Sequence, residues 1–420
     1  MEELPEAVVE FILSNMSNAR DIAACNCVSK QWKGSTPFMR SLYFPRNSFD
    51  NNRLRKYDPD EVIRNMLGSI VGLEELVVYC PFTMAGLVSW LKIVESSLKH
   101  LELRLDNNAE QVGSDESPSK LHCIGMVRNL ESLKLWGVLM TFKPRWDVFP
   151  KLKVLEIVGA KLEQDALHGA IQACPNLTSL VLLSCEGVAS VTIQLPLLEH
   201  CKLDFCGSGK GLLSLTAPRI ESLDVQGCSW ISVPKTDRLR SLSISNNSGR
   251  VYMVDFGKLS ALDFLSIRGV QWSWNAVSKM LEWSSEVKHL FMKVEFTGDY
   301  DALKPFPEID LVEFFNSHPK LRRFDAHGAM FAALCQKNSL KNLDHCFTIP
   351  CLEEMVITVR SPLNAEQKMS TLESIVKYGK NLKKMVIKIS QMKSNHSSAD
   401  DFFDDICKFR FINRKIVQIE

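Results

Sequence analysis

The chain has 420 residues, a formal net charge of +1 and 45% hydrophobic residues, a composition typical of a folded protein too long for one compact domain. A charge so close to zero argues against a general binder of nucleic acids or membrane surfaces, because such partners require a basic excess. The acidic amino terminus and the lack of a long apolar run argue against a secretory signal and a membrane span, so we expect a protein of the cytoplasm or nucleus.

Residues 1–45 predict three short helices. Pro5 opens the first helix, where its missing N–H costs little, and apolar residues then recur at helical spacing from Val8 to Met16. A second helix starts near Asp21, and a third contains Trp32. A helical unit of this kind would also serve as a cap for the open end of a repeat array.

Four short motifs follow one another in this segment: Leu4-Pro5-Glu6, Ile12-Leu13-Ser14, Asp21-Ile22-Ala23-Ala24 and Cys27-Val28-Ser29-Lys30-Gln31-Trp32-Lys33. In this order they resemble an F-box, the three-helix module that docks on the Skp-type adaptor of an SCF ubiquitin ligase. The resemblance implies a Skp-type adaptor and, through it, a cullin as partners. It also implies that the adaptor contact lies at or above Leu4, Pro5, Ile12 and Leu13.

The middle of the chain contains an internal repeat. The pattern apolar-x-x-apolar-x-apolar occurs thirteen times, starting at Leu73, Leu98, Leu130, Leu152, Leu177, Leu198, Ile220, Leu239, Leu262, Val287, Leu321, Leu352 and Leu382. From Leu130 to Val287 the starts are 19 to 25 residues apart, which is close to the leucine-rich-repeat period of roughly 20–29 residues. One repeat cannot bury its apolar side alone, so the pattern predicts a stack of short parallel strands with a shared core.

Within each copy, positions +3 and +5 are predicted to point into the core, whereas +2, +4 and +6 point outward. Position +8 is predicted to turn inward, where it holds Cys185, Cys206, Cys228 and Asn247 in four copies. This placement accounts for three of the thirteen cysteines without disulfides or metal, and no cysteine pair has the spacing of a zinc site. Polar, turn-rich segments at residues 106–120, 296–310 and 393–401 are predicted to be exposed loops.

The carboxy-terminal region resembles the FBD region that closes many plant F-box/leucine-rich-repeat proteins. The resemblance covers residues 371–390, and the segments 402–411 and 416–419 fit its closing helix and strand. The sequence therefore predicts an α/β protein in three parts: an F-box at residues 1–45, an irregular leucine-rich-repeat solenoid (a horseshoe of short parallel strands) at 46–370, and an FBD-like cap at 371–420.

The outward positions of the strands predict a protein-binding surface. Apolar and aromatic residues occupy several of them, and aromatic and Arg side chains dominate the energetics of protein interfaces. We expect a target protein to contact Trp136, Phe264, Phe291 and Arg268.

We find no catalytic motif, no metal-ligand spacing and no cofactor fingerprint in the sequence, so we expect a non-catalytic adaptor without a cofactor. The F-box resemblance implies the substrate-recognition subunit of an SCF-type ligase. Two alternatives stay open: a receptor whose solenoid binds a small molecule that completes the target site, and a protein-binding scaffold with no role in ubiquitin transfer.

Overall fold

The computed structural model describes residues 4–49, 58–105, 121–207, 209–296, 307–343, 347–389 and 397–420. They belong to two compact units, residues 1–205 and 206–420. The predicted loop at residues 106–120 lies outside the described residues, as do residues 297–306 and 393–396 of the other two predicted loops. Residues 397–401, also predicted as loop, are helical instead.

The first unit begins with the three predicted helices, α1 (Glu6–Ser14), α2 (Ala19–Asn26) and α3 (Lys30–Ser35). The side chains of Asn18 and Ser29 cap α2 and α3 by accepting hydrogen bonds from main-chain N–H groups of the first turn, which satisfies donors that a helix start leaves open. Trp32 of α3 is half-buried.

A strand, β1 (Ser41–Phe44), follows these helices and pairs in parallel with β2 (Glu75–Val78). The apolar spacing of residues 1–45 predicts helices alone, so this strand is not predicted. Met39, Leu42 and Phe44 nevertheless follow the repeat spacing and are at most 1% exposed. They form a further copy of the motif.

The remaining elements of the first unit are short strands and connecting helices. The helices are α4 (Pro59–Gly68), α5 (Met84–Val94) and α6 (Gln164–Gln172), and the strands are β3 (His100–Arg104), β4 (Ser132–Trp136), β5 (Leu139–Met140), β6 (Val154–Val158), β7 (Lys161–Leu162), β8 (Ser179–Cys185), β9 (Ser190–Gln194) and β10 (His200–Phe205). Strands β1, β2, β3, β4, β6, β8 and β10 pair in that order, all in parallel.

The second unit has the same organisation. Its helices are α7 (Trp274–Trp283), α8 (Leu311–Ser317), α9 (Gly328–Gln336), α10 (Ala365–Tyr378) and α11 (Ser397–Ile412), and its strands are β11 (Gly211–Thr216), β12 (Ser222–Gln226), β13 (Cys228–Ser232), β14 (Ser241–Asn246), β15 (Met253–Asp255), β16 (Phe264–Trp272), β17 (His289–Phe296), β18 (Arg323–His327), β19 (Glu354–Val359), β20 (Lys384–Ile389) and β21 (Val417–Ile419). Strands β12, β14 and β16 to β21 form one parallel series. Strands β11, β13 and β15 form a second.

The predicted repeat is confirmed strand by strand. Each of the thirteen motif copies coincides with a strand of a parallel series, and the three apolar residues of every copy are at most 5% exposed. The closing helix and strand predicted at residues 402–411 and 416–419 correspond to α11 and β21. Burial of the motif residues therefore adds to the main-chain hydrogen bonds that pair successive strands.

Position +8 follows the prediction in only two of the four copies. Cys185 and Cys228 are buried, at 0% and 1% exposure, but Cys206 and Asn247 are exposed. In the copy that starts at Leu239, strand β14 ends at Asn246, and this residue turns inward instead, with 0% exposure. A turn one residue earlier thus places the neighbouring asparagine in the core.

No helix in the described ranges combines the length and apolarity needed to cross a membrane.

Candidate functional site

Helix α1 has a buried face and an exposed apolar face. Val9 and Leu13 are 0% and 1% exposed, whereas Leu4, Val8 and Phe11 are 45%, 40% and 70% exposed. The last three are spaced i, i+4 and i+7, which places them along one side of the helix and the segment that precedes it. Exposed apolar patches of this kind mark protein-binding sites.

Phe38 extends this surface. Its side chain is 64% exposed, and it lines a shallow groove of about 300 Å³ together with Phe11, Leu13 and Met39. We call Leu4, Pro5, Val8, Phe11 and Phe38 the head face. Gln31 of α3 donates a 2.7 Å hydrogen bond from Nε2 to the carbonyl of Leu4, which fixes the start of the face against the third helix.

The four residues predicted to support adaptor contact take different places. Leu4 and Pro5 are exposed and belong to the head face, Ile12 is half-buried, and Leu13 lies in the core beneath the helix. Sequence reasoning missed Val8, Phe11 and Phe38 as exposed apolar residues. For Val8 and Phe11, the helical spacing from Leu4 was a usable signal.

The outward side of the first unit's strands carries an aromatic cluster around Glu102. Trp136 Nε1 donates a 2.9 Å hydrogen bond to Oε1 of Glu102, and the Tyr79 hydroxyl donates to the same oxygen. The Tyr43 and Tyr79 rings meet edge to face with centroids 5.5 Å apart. Burial, and next the hydrogen bond with Glu102, raise the pKa of Tyr79. Trp136 is therefore a half-buried, fixed member of this cluster.

The outward side of the second unit brings the other three predicted residues together. Phe264, Phe291 and Arg268 line one open groove of about 420 Å³ on β16 and β17. Hydroxyl groups border it, contributed by Ser222, Ser241, Ser243 and Ser266. Arg268 donates a 3.2 Å hydrogen bond from a guanidinium nitrogen to Oγ of Ser243. We call this the β16–β17 groove.

Next to the groove, β18 supplies an ion-paired and aromatic border. Arg323 contacts the carboxylates of Asp325 and Glu354, each at 3.3 Å. His327 packs against Phe291 with ring centroids 5.0 Å apart, and its Nδ1 lies 2.9 Å from the hydroxyl of Thr358. Burial is the main cause that lowers the pKa of His327. The groove and its border thus offer apolar rings, hydroxyls and cations, together with the carboxylates of Asp224 and Asp325.

Short parallel strands with regularly buried Leu positions, preceded by a three-helix head, define a leucine-rich-repeat protein. A family model described as FBD-associated F-box protein At5g56370, LRR repeats, matches residues 87–310. The chain is 63% identical over 420 residues to F-box protein At1g10780 of Arabidopsis thaliana, covering 100% of both chains. It is 27% identical over 247 residues to F-box/LRR-repeat protein At1g67190 of the same plant, covering 54% of this chain and 55% of that protein. The chain belongs to the plant F-box/leucine-rich-repeat proteins.

Proposed function

We propose that the chain is the substrate-recognition subunit of an SCF-type ubiquitin ligase. In this role it is a non-catalytic adaptor: the head binds a Skp-type subunit and through it a cullin, and the outward strand faces bind a target protein. Its contribution to ubiquitin transfer is proximity, because holding the target beside the charged ubiquitin converts an encounter into an intramolecular step. The observation that carries the proposal is the exposed apolar head face on a module of the F-box family.

The head face has the properties of an interface. Phe11 and Phe38 expose most of their rings to water, and burial of apolar surface releases about 25 cal/mol per Å². Val9 and Leu13 hold α1 from beneath, so the exposed side chains are presented by an ordered helix. A preordered face loses little conformational entropy on binding.

Each part of the chain has its own role in this proposal. Within residues 1–45 the helices α1 to α3 form the docking module and β1 begins the target-binding array, which continues through residues 46–370. Residues 371–420, which include β20 and β21, form the FBD-like cap. The β16–β17 groove is the strongest candidate for target contact, because Phe264, Phe291 and Arg268 meet there. Assembly with a cullin places the protein in the cytoplasm or nucleus.

Affinity purification from plant cells tests the proposal. The tagged chain is expected to recover a Skp-type adaptor and a cullin, and Phe11→Asp is expected to lose both, since a charge would be buried in the contact. Phe142→Asp is the matched control, because Phe142 is 68% exposed at another place in the first unit. Target proteins should accumulate on the Phe11→Asp variant, which binds them without ligase. Recovery of adaptor and cullin unchanged by Phe11→Asp would contradict the proposed docking face.

A further inference from the structure

Positive side chains lie close to one row across the outward side of the second unit, with Arg360 offset by two residues from Thr358, the β19 residue in register. Arg268 of β16 and Lys293 of β17 are register partners, and Lys388 of β20 is the partner of Thr358, which pairs with His327. Arg360 follows directly after β19. We call Arg268, Lys293, Arg360 and Lys388 the positive row. The field of the last three lowers the pKa of His327, after the larger effect of burial.

The charges of this row are only partly compensated. Arg360 is paired with Glu295, and Lys388 with Glu420 at 2.9 Å. Arg268 and Lys293 are both exposed, and among the described residues no carboxylate lies within ion-pair distance of either of them. Two neighbouring cations without a counter-charge repel each other, so an incoming anion relieves that repulsion.

The spacing of the row indicates what kind of anion it fits. Neighbouring parallel strands lie about 4.8 Å apart, so the row extends over about 19 Å from β16 to β20. A single phosphate could be contacted by Arg268 and Lys293, which are register partners, but it would leave Arg360 and Lys388 unused. A set of carboxylates distributed along a peptide matches charges distributed over several strands.

The β16–β17 groove adds an apolar requirement. Phe264 and Arg268 lie on the same strand and both line the groove, and four residues of extended strand span about 13 Å. A peptide whose acidic residues reach Arg268 and Lys293 therefore has room to place a large apolar side chain between Phe264 and Phe291. That side chain would lie within about four residues of the acidic ones.

We infer that the positive row and the β16–β17 groove bind an acidic segment of the target protein that carries a large apolar side chain. The carboxylates contact Arg268 and Lys293, and the apolar side chain contacts the two phenyl rings. This inference rests on the proposed role of the strand face in target binding and gives that role a substrate class. Binding is expected to weaken as salt concentration rises, because the charged contacts are exposed.

Peptide selection from a displayed random library tests the inference. The library is selected on the purified chain with its Skp-type adaptor bound. Enriched peptides are expected to be net negative and to contain an aromatic or large aliphatic residue. For the most enriched peptide, the Arg268→Glu, Lys293→Glu double variant should lose at least about tenfold in affinity. The Lys235→Glu, Lys279→Glu variant is the matched control, since both lysines are exposed in the same unit and the net charge changes equally.

Enrichment of neutral or basic peptides, or of no peptide, would overturn the inference. Equal affinity of the peptide for the double variant and the wild type would do the same. So would a peptide whose acidic residues are replaced by Gln and that binds only when it carries a phosphoserine, because the surface would then recognise a phosphate. The affinity for the adaptor, measured on the same samples, separates this inference from the proposed function. Wild-type chain that fails to bind the adaptor contradicts the ligase role, whereas a double variant that keeps the adaptor and the peptide contradicts only the acidic-segment assignment.

Discussion

Asn246 donates a 2.8 Å hydrogen bond from Nδ2 to the main-chain carbonyl of Gly209, a residue 37 positions earlier in the chain. The same nitrogen donates to the carbonyl of Cys228 at 3.0 Å, and Oδ1 accepts from the N–H of Gly249 at 2.8 Å. Gly209 has φ +64°, and a Cβ there would lie 2.3 Å from the nitrogen of Gly249. One buried amide thus joins three turns of the second unit.

Replacing this amide should destabilise the second unit. Asn246→Ala removes the hydrogen bonds to the Gly209 and Cys228 carbonyls and from the Gly249 N–H at a fully buried position, which we expect to lower the free energy of unfolding by about 3 kcal/mol. Equilibrium unfolding in urea measures the change. Asn247→Ala is the control, because Asn247 is exposed and its loss should cost less than about 0.5 kcal/mol. Equal effects of the two variants would show that the buried network is not a stabilising element.

Cys228 and Cys206, which both occupy position +8, should differ in reactivity toward alkylating reagents, because one is buried and the other is exposed. Cys228 is 1% exposed, and burial raises the pKa of its thiol to about 12, so little thiolate forms at neutral pH. Cys206 occupies the same repeat position but is exposed. Brief alkylation of the folded protein followed by peptide mass spectrometry should label Cys206 well before Cys228. In urea, where the chain is unfolded, this difference in labelling between the two cysteines should disappear. Equal labelling rates in the folded protein would contradict the exposed position of Cys206.

Much of this fold follows from the spacing of apolar residues, because each strand buries three of them and a slip by one residue would expose them all. The turns are harder to predict. Whether Asn246 or Asn247 points inward depends on where β14 ends, and the two alternatives differ by one residue in a polar sequence. The strand β1 escaped prediction because its motif directly follows helices in which shorter spacings dominate.

The binding surfaces were predictable to a lesser degree. Outward positions such as Phe264 and Phe291 follow from strand alternation. The shared acceptor of the Tyr79 and Trp136 side chains does not, because it depends on register between residues 23 and 34 positions from Glu102. The head face was concealed because Val8 and Val9 are chemically alike, and only packing determines that one is exposed and the other buried.

The second unit should lose stability in mild acid through His318. This ring is 3% exposed, and burial lowers its pKa although the carbonyls of Phe314 and Leu281 lie within hydrogen-bond distance of its nitrogens. In the unfolded chain, His318 binds a proton near pH 6.5, whereas in the folded chain this side chain does so only at lower pH. The contribution to stability is therefore complete above about pH 6.5 and falls below it, by at most about 1.4 kcal/mol per pH unit.

Unfolding free energies between about pH 7.5 and 5 measure this effect. His318→Gln should flatten the pH dependence by removing the share of one histidine. His168→Gln is the control for the substitution itself, because His168 is exposed on α6. A slope that is the same in all three proteins would contradict the assignment.

Titration calorimetry of the purified chain with a Skp-type adaptor tests whether the head face is the docking site. Phe11 is the most exposed aromatic residue of the head face, and truncating or charging an interface anchor costs about 2 kcal/mol or more. We expect Phe11→Asp to weaken binding at least about thirtyfold and Phe142→Asp to bind like the wild type. Equal affinities of the two variants would contradict docking through this face.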